Sequence, residues 1–211
     1  VLGVLAAGLS PAWSARAMAQ ARPALTDPLI YQVNLNGMTG WDVTPELVMN
    51  IFGDVDRTFS DLIHVHNPGP NMPDQIVQAE AWPNHVVVLR LDLAHDMRAT
   101  NLDARVYAAR FARVIEEQVD LRNRRVAVWV RRADDAASFI VGATPEIFLV
   151  PGAESRITPG FVEAYSRGDA RIIPEAPSLE GLTVCATHAD LIRALGMPET
   201  TSVIYGDAQR I

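Results

Sequence analysis

The side chains able to do chemistry in this chain fall into four small groups. His64 and His66 stand two residues apart in the run Leu62 to His66. On a β-strand that spacing sends both imidazoles to one face, the geometry with which amidohydrolase-type enzymes hold a metal ion. Further ligands would have to come from Asp61, Asp92, His95 and Asp96, and an amidohydrolase barrel of about 250 residues exceeds the 211 present. The pair therefore reads first as the half-exposed end of a strand feeding a loop. Asp92, His95 and Asp96 form a second group, either an acid/base cluster at the mouth of a sheet or an exposed polar loop. Asp134 and Asp135 follow Arg131 and Arg132 at the end of another apolar run. Carboxylates there cap the next helix, or else take over proton transfer or nucleophilic attack. Ser138, in Ala136-Ala137-Ser138-Phe139-Ile140, is either a nucleophile or a helix residue with a satisfied hydroxyl.

Composition removes several chemistries. All 18 cationic side chains are Arg, so a lysine Schiff base, a Walker-A lysine and a Ser-Lys dyad are excluded. Cys185 is the single cysteine, which excludes an intrachain disulfide and a multi-cysteine zinc site. A formal charge of -7 and a pI near 5.2 are the opposite of the basic footprint that binds nucleic acid, so no nucleic-acid partner is expected. With 49% hydrophobic and 20% charged residues, the chain can bury the core of one domain.

The first ten residues, Val1 to Ser10, are apolar but too short for the roughly 20 residues that span a bilayer. Overlapping Ala-x-Ala triplets end at Ala17, Ala19 and Ala21, the pattern of a signal-peptidase site. The expectation is an export signal over residues 1–21, a mature start near Gln20 or Arg22, and one domain over 27–211. Periplasmic or secreted localisation follows, with membrane contact only through the uncleaved signal.

The elements that must position these residues are read from periodicity. Short β-branched and apolar runs predict strands at Ile30–Leu35, Leu62–His66, Val86–Leu91, Val126–Val130, Ile147–Val150 and Ser202–Tyr205. Helices are expected at Pro45–Phe52 behind Thr44 as N-cap, at Asp103–Val119 with Val106, Phe111, Val114 and Ile115 as its apolar positions, at Ala136–Ala143, and at His188–Leu195. Alternating strands and helices imply an α/β layered domain with a largely parallel sheet. Trp41, Trp82 and Trp129 read as core or interface residues rather than substrate platforms.

From Val86 the order of events is a strand Val-Val-Val-Leu-Arg-Leu-Asp, a loop, a long helix, and a strand Val-Ala-Val-Trp-Val. Ala136-Ala137-Ser138, a small-residue helix, and Glu146-Ile-Phe-Leu-Val-Pro-Gly-Ala follow. This resembles the ClpP/crotonase fold, in particular the secreted NfeD-type and signal-peptide-peptidase-type serine proteases, over roughly Tyr31 to Gly196. The resemblance implies a strand leading to a Pro-Gly-Gly turn whose backbone N–H groups form an oxyanion hole, and a second strand leading to the nucleophile. This chain departs from it at both places. The turn reads Asp92-Leu93-Ala94-His95-Asp96, without glycine. Counted back from Pro151 without a gap, the nucleophile position falls on Asp135; a helix shortened by three residues places Ser138 there instead. The family's lysine base is missing, so a base would have to be one of His64, His66, His85, His95 or His188. A second stretch, Ile63 to Pro70, is similar to the family's Pro-Gly turn and is read as an insertion, since the later turn keeps the spacing to Pro151.

The resulting expectation is an exported ClpP/crotonase-type protein with degraded catalytic parts, using no cofactor and no metal, that binds a peptide or protein partner. Ser138, Asp135, His95 and Asp92 are its candidate catalytic positions, and Ala94 and Asp134 its candidate binding positions. Oligomers are common among relatives of this fold, so a homo-oligomer is expected, with the helix Asp103–Val119 and Trp129 as the shared surface. Two alternatives are carried: an active periplasmic serine peptidase using Ser138 with a histidine base, and a metal-dependent hydrolase using His64 and His66.

Overall fold

A computed structural model describes residues 27–66, 84–94, 104–167, 171 and 173–208, with the side chains of 59–66 left out of the description. Its centre is one six-stranded sheet in which every pairing is parallel. In chain order the strands are β1 (Leu29–Met38), β2 (His85–Ala94), β3 (Val126–Asp134), β4 (Glu146–Arg156), β5 (Thr183–Val184) and β6 (Ser202–Gly206), and in space they run β5-β4-β3-β2-β1-β6. The expected α/β layered architecture with a parallel sheet is what the chain adopts.

The first four connections all step the same way across the sheet. They carry α1 (Pro45–His66), α2 (Ala104–Glu116), α3 (Ser138–Ala143) and α4 (Pro159–Tyr165). Right-handed crossovers in one direction place successive helices on one face, and the core reflects it. Val48, Ile51, Phe52 and Val55 of α1, Ala108, Phe111 and Ile115 of α2, Ile140 and Val141 of α3 and Phe161 of α4 share one buried cluster with Tyr31, Val33, Leu89, Leu91, Val128 and Val130. The last connection reverses direction to carry β6 to the far side of β1. Its helix, α5 (His188–Ala194), therefore lies on the other face, where Leu191 and Leu195 pack on Ile30, Val86, Val88, Ala127 and Trp129. Burial on both faces explains why β1 to β3 read as nearly continuous apolar runs.

Local chemistry sets the helix starts. Thr44 Oγ1 accepts the Leu47 N–H at 3.2 Å with Pro45 at the first helical position, as the sequence suggests. Thr187 and Asp190 form a reciprocal capping box at the start of α5, and Gly196, at φ 67°, ends its last turn in the left-handed region that glycine enters freely. Ion pairs fasten the helices: Arg124, largely buried, bonds Asp56, Gln118 Oε1 at 2.9 Å and the Phe52 carbonyl at 3.4 Å. Burial there holds the Arg124 pKa below its usual value. Burial, then the Glu46 charge, raises the Tyr107 hydroxyl to about 12, so it stays protonated in neutral solution.

Several expectations are corrected. Leu62–His66 is the last part of α1, not a strand; residues two apart on a helix stand about 200° apart around its axis, so the shared-face argument for His64 and His66 as metal ligands loses its premise. Val106 does not belong to the apolar stripe of α2, being 53% exposed. Trp41 is exposed and so is no core residue, while Trp129 is the core residue expected, buried beneath α5 and donating its indole N–H to the Cys185 carbonyl at 3.0 Å. Trp129 and the buried face of α2 are thus internal and supply no surface for a second copy. Trp82 and residues 1–21, where an export signal is expected, lie outside the described residues. The short α4 and β5 were not anticipated. Among the described residues no helix is long and apolar enough to cross a membrane.

The phase of α2 is directly testable. Phe111→Ala, which empties a fully buried site, should lower unfolding free energy by about 3–5 kcal/mol in urea titrations, while Val106→Ala should change it by less than about 0.5 kcal/mol.

Candidate functional site

The described sequence candidates, Asp92, Ala94, Asp134, Asp135 and Ser138, stand at or just beyond the carboxyl ends of β2 and β3, the edge at which open α/β sheets bind ligands. Asp135 is the pivot. β3 ends at Asp134, and the chain turns into a short 3₁₀ segment, Asp135–Ala137, that feeds α3. The turn needs φ 51° at Asp135, a conformation that aspartate tolerates better than most residues. The residue is 3% exposed and both its carboxylate oxygens are engaged. Oδ1 accepts the Thr158 N–H at 2.7 Å and Oδ2 the Thr158 hydroxyl at 3.0 Å. Thr158 Oγ1 in turn accepts the Phe161 N–H at 3.3 Å as the N-cap of α4. Asp135 therefore fastens the end of β3 to the start of α4.

Neither acid caps the helix that follows it, which corrects the capping expectation: Asp134, at the N-cap position, makes no side-chain cap bond. Its buried carboxylate faces Arg156 of β4, with Nε 3.3 Å from Oδ1 and Nη2 donating to Oδ2 at 3.4 Å. The parallel register sets Asp134 beside Arg156 and makes the pair.

Ser138 opens α3 and is 1% exposed. Its hydroxyl donates to the Asp135 carbonyl at 2.6 Å, which is the bond a satisfied helix-start serine makes. Ser138 borders an open groove of about 400 Å³ lined also by Ala112, Phe139, Gly142 and Ala176, but its oxygen is turned to the backbone rather than into that space.

Asp92 and Ala94 lie at the end of β2. Because Leu91 and Leu93 are buried on the α1–α4 side, the alternating residues Asp92 and Ala94 belong to the opposite face. Asp92 Oδ1 accepts Arg132 Nη2 at 3.1 Å, and Oδ2 lies 3.5 Å from Arg131 Nη1. Asp92 is thus an ion-pair partner on the face away from α3, and the structure does not bring it to Ser138.

The histidines are dispersed. His188 packs edge-on to Trp129 at 5.0 Å between ring centres, on the α5 face. His85 begins β2, at the opposite end of the sheet from Asp135. His64 and His66 end α1, which runs antiparallel to the strands; Asp56, two turns earlier, already pairs with Arg122 and Arg124 before the start of β3. His95 follows Ala94 directly and lies outside the described residues, as does Asp96. Among the described residues, three or more His, Cys, Asp or Glu side chains do not come together as metal ligands do.

This chain matches no protein-family model and no curated protein.

Sequence reasoning missed Thr158, Arg132 and Arg156. Thr158-Pro159 carries an N-cap signal of its own, a hydroxyl followed by proline at the first helical position, and would have revealed α4. The pairing of Arg156 with Asp134 has no local signal, since it depends on strand register.

Asp135→Ala should lower stability by about 3 kcal/mol, because it strands the Thr158 N–H and leaves a left-handed φ on alanine. Asp135→Asn, which keeps an acceptor and tolerates the same φ, should lose less than half as much. Equal losses in urea unfolding would show that the Thr158 bonds do not fasten this turn.

Proposed function

We propose that this chain is an exported protein of the ClpP/crotonase type whose catalytic parts have degenerated, and that it acts by binding a peptide or protein partner. The observation that carries this reading is the hydroxyl of Ser138. It is buried, it donates to the Asp135 carbonyl, and no described histidine stands on its side of the sheet at its end of the strands. A serine nucleophile needs a base within about 3 Å and donors aimed at the developing oxyanion, and loss of one donor alone costs on the order of 3 kcal/mol. Lysine is absent, the turn after β2 reads Asp92 to Asp96 without glycine, and Asp135, the ungapped nucleophile position, is committed to Thr158. The polar ends of β2, β3 and β4, where Asp92, Arg131, Arg132, Glu154 and Arg156 lie, are the surface offered to a polar peptide.

An active serine peptidase is the second reading, and one observation favours it: Ala94, the residue that precedes His95 in the sequence, ends β2 at the end of the sheet where α3 also begins. The purified full chain separates the two when tested on casein and on a signal-peptide substrate. The first reading expects no turnover by wild type, Ser138→Ala or His95→Ala, with peptide binding measurable by calorimetry in all three. Turnover by wild type that both substitutions abolish, with unchanged thermal transitions, would establish the peptidase.

A further inference from the structure

The sheet face opposite α1–α4 carries a second polar cluster, distinct from the turn at Asp135. On that face α5 buries the first halves of the strands, through Ile30, Val86, Val88 and Ala127. Beyond them the register sets Asn34 beside Arg90, Arg90 beside Trp129, and Gln32 beside Tyr205. His188, the first residue of α5, reaches into the same group.

The hydrogen bonds fix which atoms remain unused. Gln32 Nε2 donates to Asn34 Oδ1 at 3.0 Å, so Gln32 Oε1 is the atom 2.9 Å from His188 Nε2. A carboxamide oxygen only accepts, and His188 Nε2 therefore carries the proton in this contact. Tyr205 Oη lies 3.4 Å from the same nitrogen. Both carboxamide oxygens are consumed within the chain. The groups left over are donors: the Asn34 amide nitrogen, the hydroxyl of Tyr205, which is 59% exposed, and the guanidinium of Arg90. Arg90 is held 5.0 Å over the Trp129 ring centre, and among the described residues it has no carboxylate partner. Asp92, the next acid along the same strand face, is occupied by Arg131 and Arg132. Arg90 is thus a positioned cation, half-buried and bordered by neutral donors, on a chain whose net charge is -7.

We propose that this face binds a ligand carboxylate, with Arg90 as its charge partner and Asn34 and Tyr205 as neutral donors. A guanidinium fork matches a planar carboxylate with two parallel N–H bonds, and stacking on Trp129 removes the freedom that binding would otherwise have to freeze. The carboxylate can belong to a small organic acid or to the C-terminus of a peptide. The site lies on the opposite face from α3, so it stands or falls separately from the reading of Ser138.

The indole N–H of Trp129 is a local reporter, identified in a ¹H–¹⁵N spectrum by its disappearance in Trp129→Phe. The full chain is titrated with benzoate, with a short peptide bearing a free C-terminus, with the same peptide amidated, and with inorganic phosphate. Saturable shifts from benzoate or from the free-acid peptide are expected, and the responding probe assigns the source; the amidated peptide should be silent. Arg90→Gln should weaken binding about tenfold or more. Asn34→Asp should do the same while keeping the acceptor for Gln32, because it supplies Arg90 with an internal counter-ion, and this exposed substitution carries the test if Arg90→Gln fails to fold. Shifts that persist unchanged in Asn34→Asp, or binding of phosphate without binding of either carboxylate, would overturn the proposal, as would the absence of any saturable shift.

Discussion

Four parallel strand-to-strand steps made in the same direction govern the rest of this molecule. From β1 to β5 the described helices between successive strands pack on one face, as strand twist favours by selecting one hand for parallel connections. α1 to α4 are thereby stacked on a single side and share one large core. The sixth strand pairs with β1 at the far edge, so its connection travels back across the sheet and α5 falls on the other side. Among the described residues two faces of different character result: one covered by four helices, the other covered by one short helix over the first halves of the strands and polar beyond it.

That asymmetry decides where chemistry can occur. Ser138 and the Asp135 turn belong to the closed face, where the hydroxyl finds the Asp135 carbonyl and the carboxylate finds Thr158. A strand-to-helix turn with a positive φ is the kind of place where a nucleophile can be displayed. Here the residue with that backbone is an aspartate, and it is spent on joining β3 to α4. Asp92, Arg90 and His188 belong to the open face, where charges are paired across strands or stacked on Trp129. The sheet itself separates Ser138 from His188, and His85 stands at the other end of the strands.

How much of this was legible follows from what each feature depends on. β2 and β3 announce themselves because a strand segment buried on both faces must be apolar throughout, and Val86 to Leu89 and Val126 to Val130 are. The start of α1 was legible from Thr44 and Pro45. Its end was not, because Leu62, Ile63 and Val65 interleaved with His64 and His66 fit a short strand as well as the end of a 22-residue helix. At the site, Asp134, Asp135 and Ser138 lie at one strand-to-helix turn simply because they are neighbours in the chain. It did not yield Thr158 against Asp135, Arg156 against Asp134, or Arg90 over Trp129. Each of those joins residues between 22 and 39 positions apart, and register across a parallel sheet has no local signature.

The central claim is that Ser138 is a structural serine rather than a nucleophile, and its reactivity tests that most directly. The full chain incubated with a serine-directed fluorophosphonate and examined by peptide mass spectrometry should carry no adduct on Ser138, because its hydroxyl is buried and bonded to the Asp135 carbonyl. Stoichiometric modification of Ser138 in the folded protein, lost in His95→Ala, would contradict the account and return the chain to the active serine hydrolases.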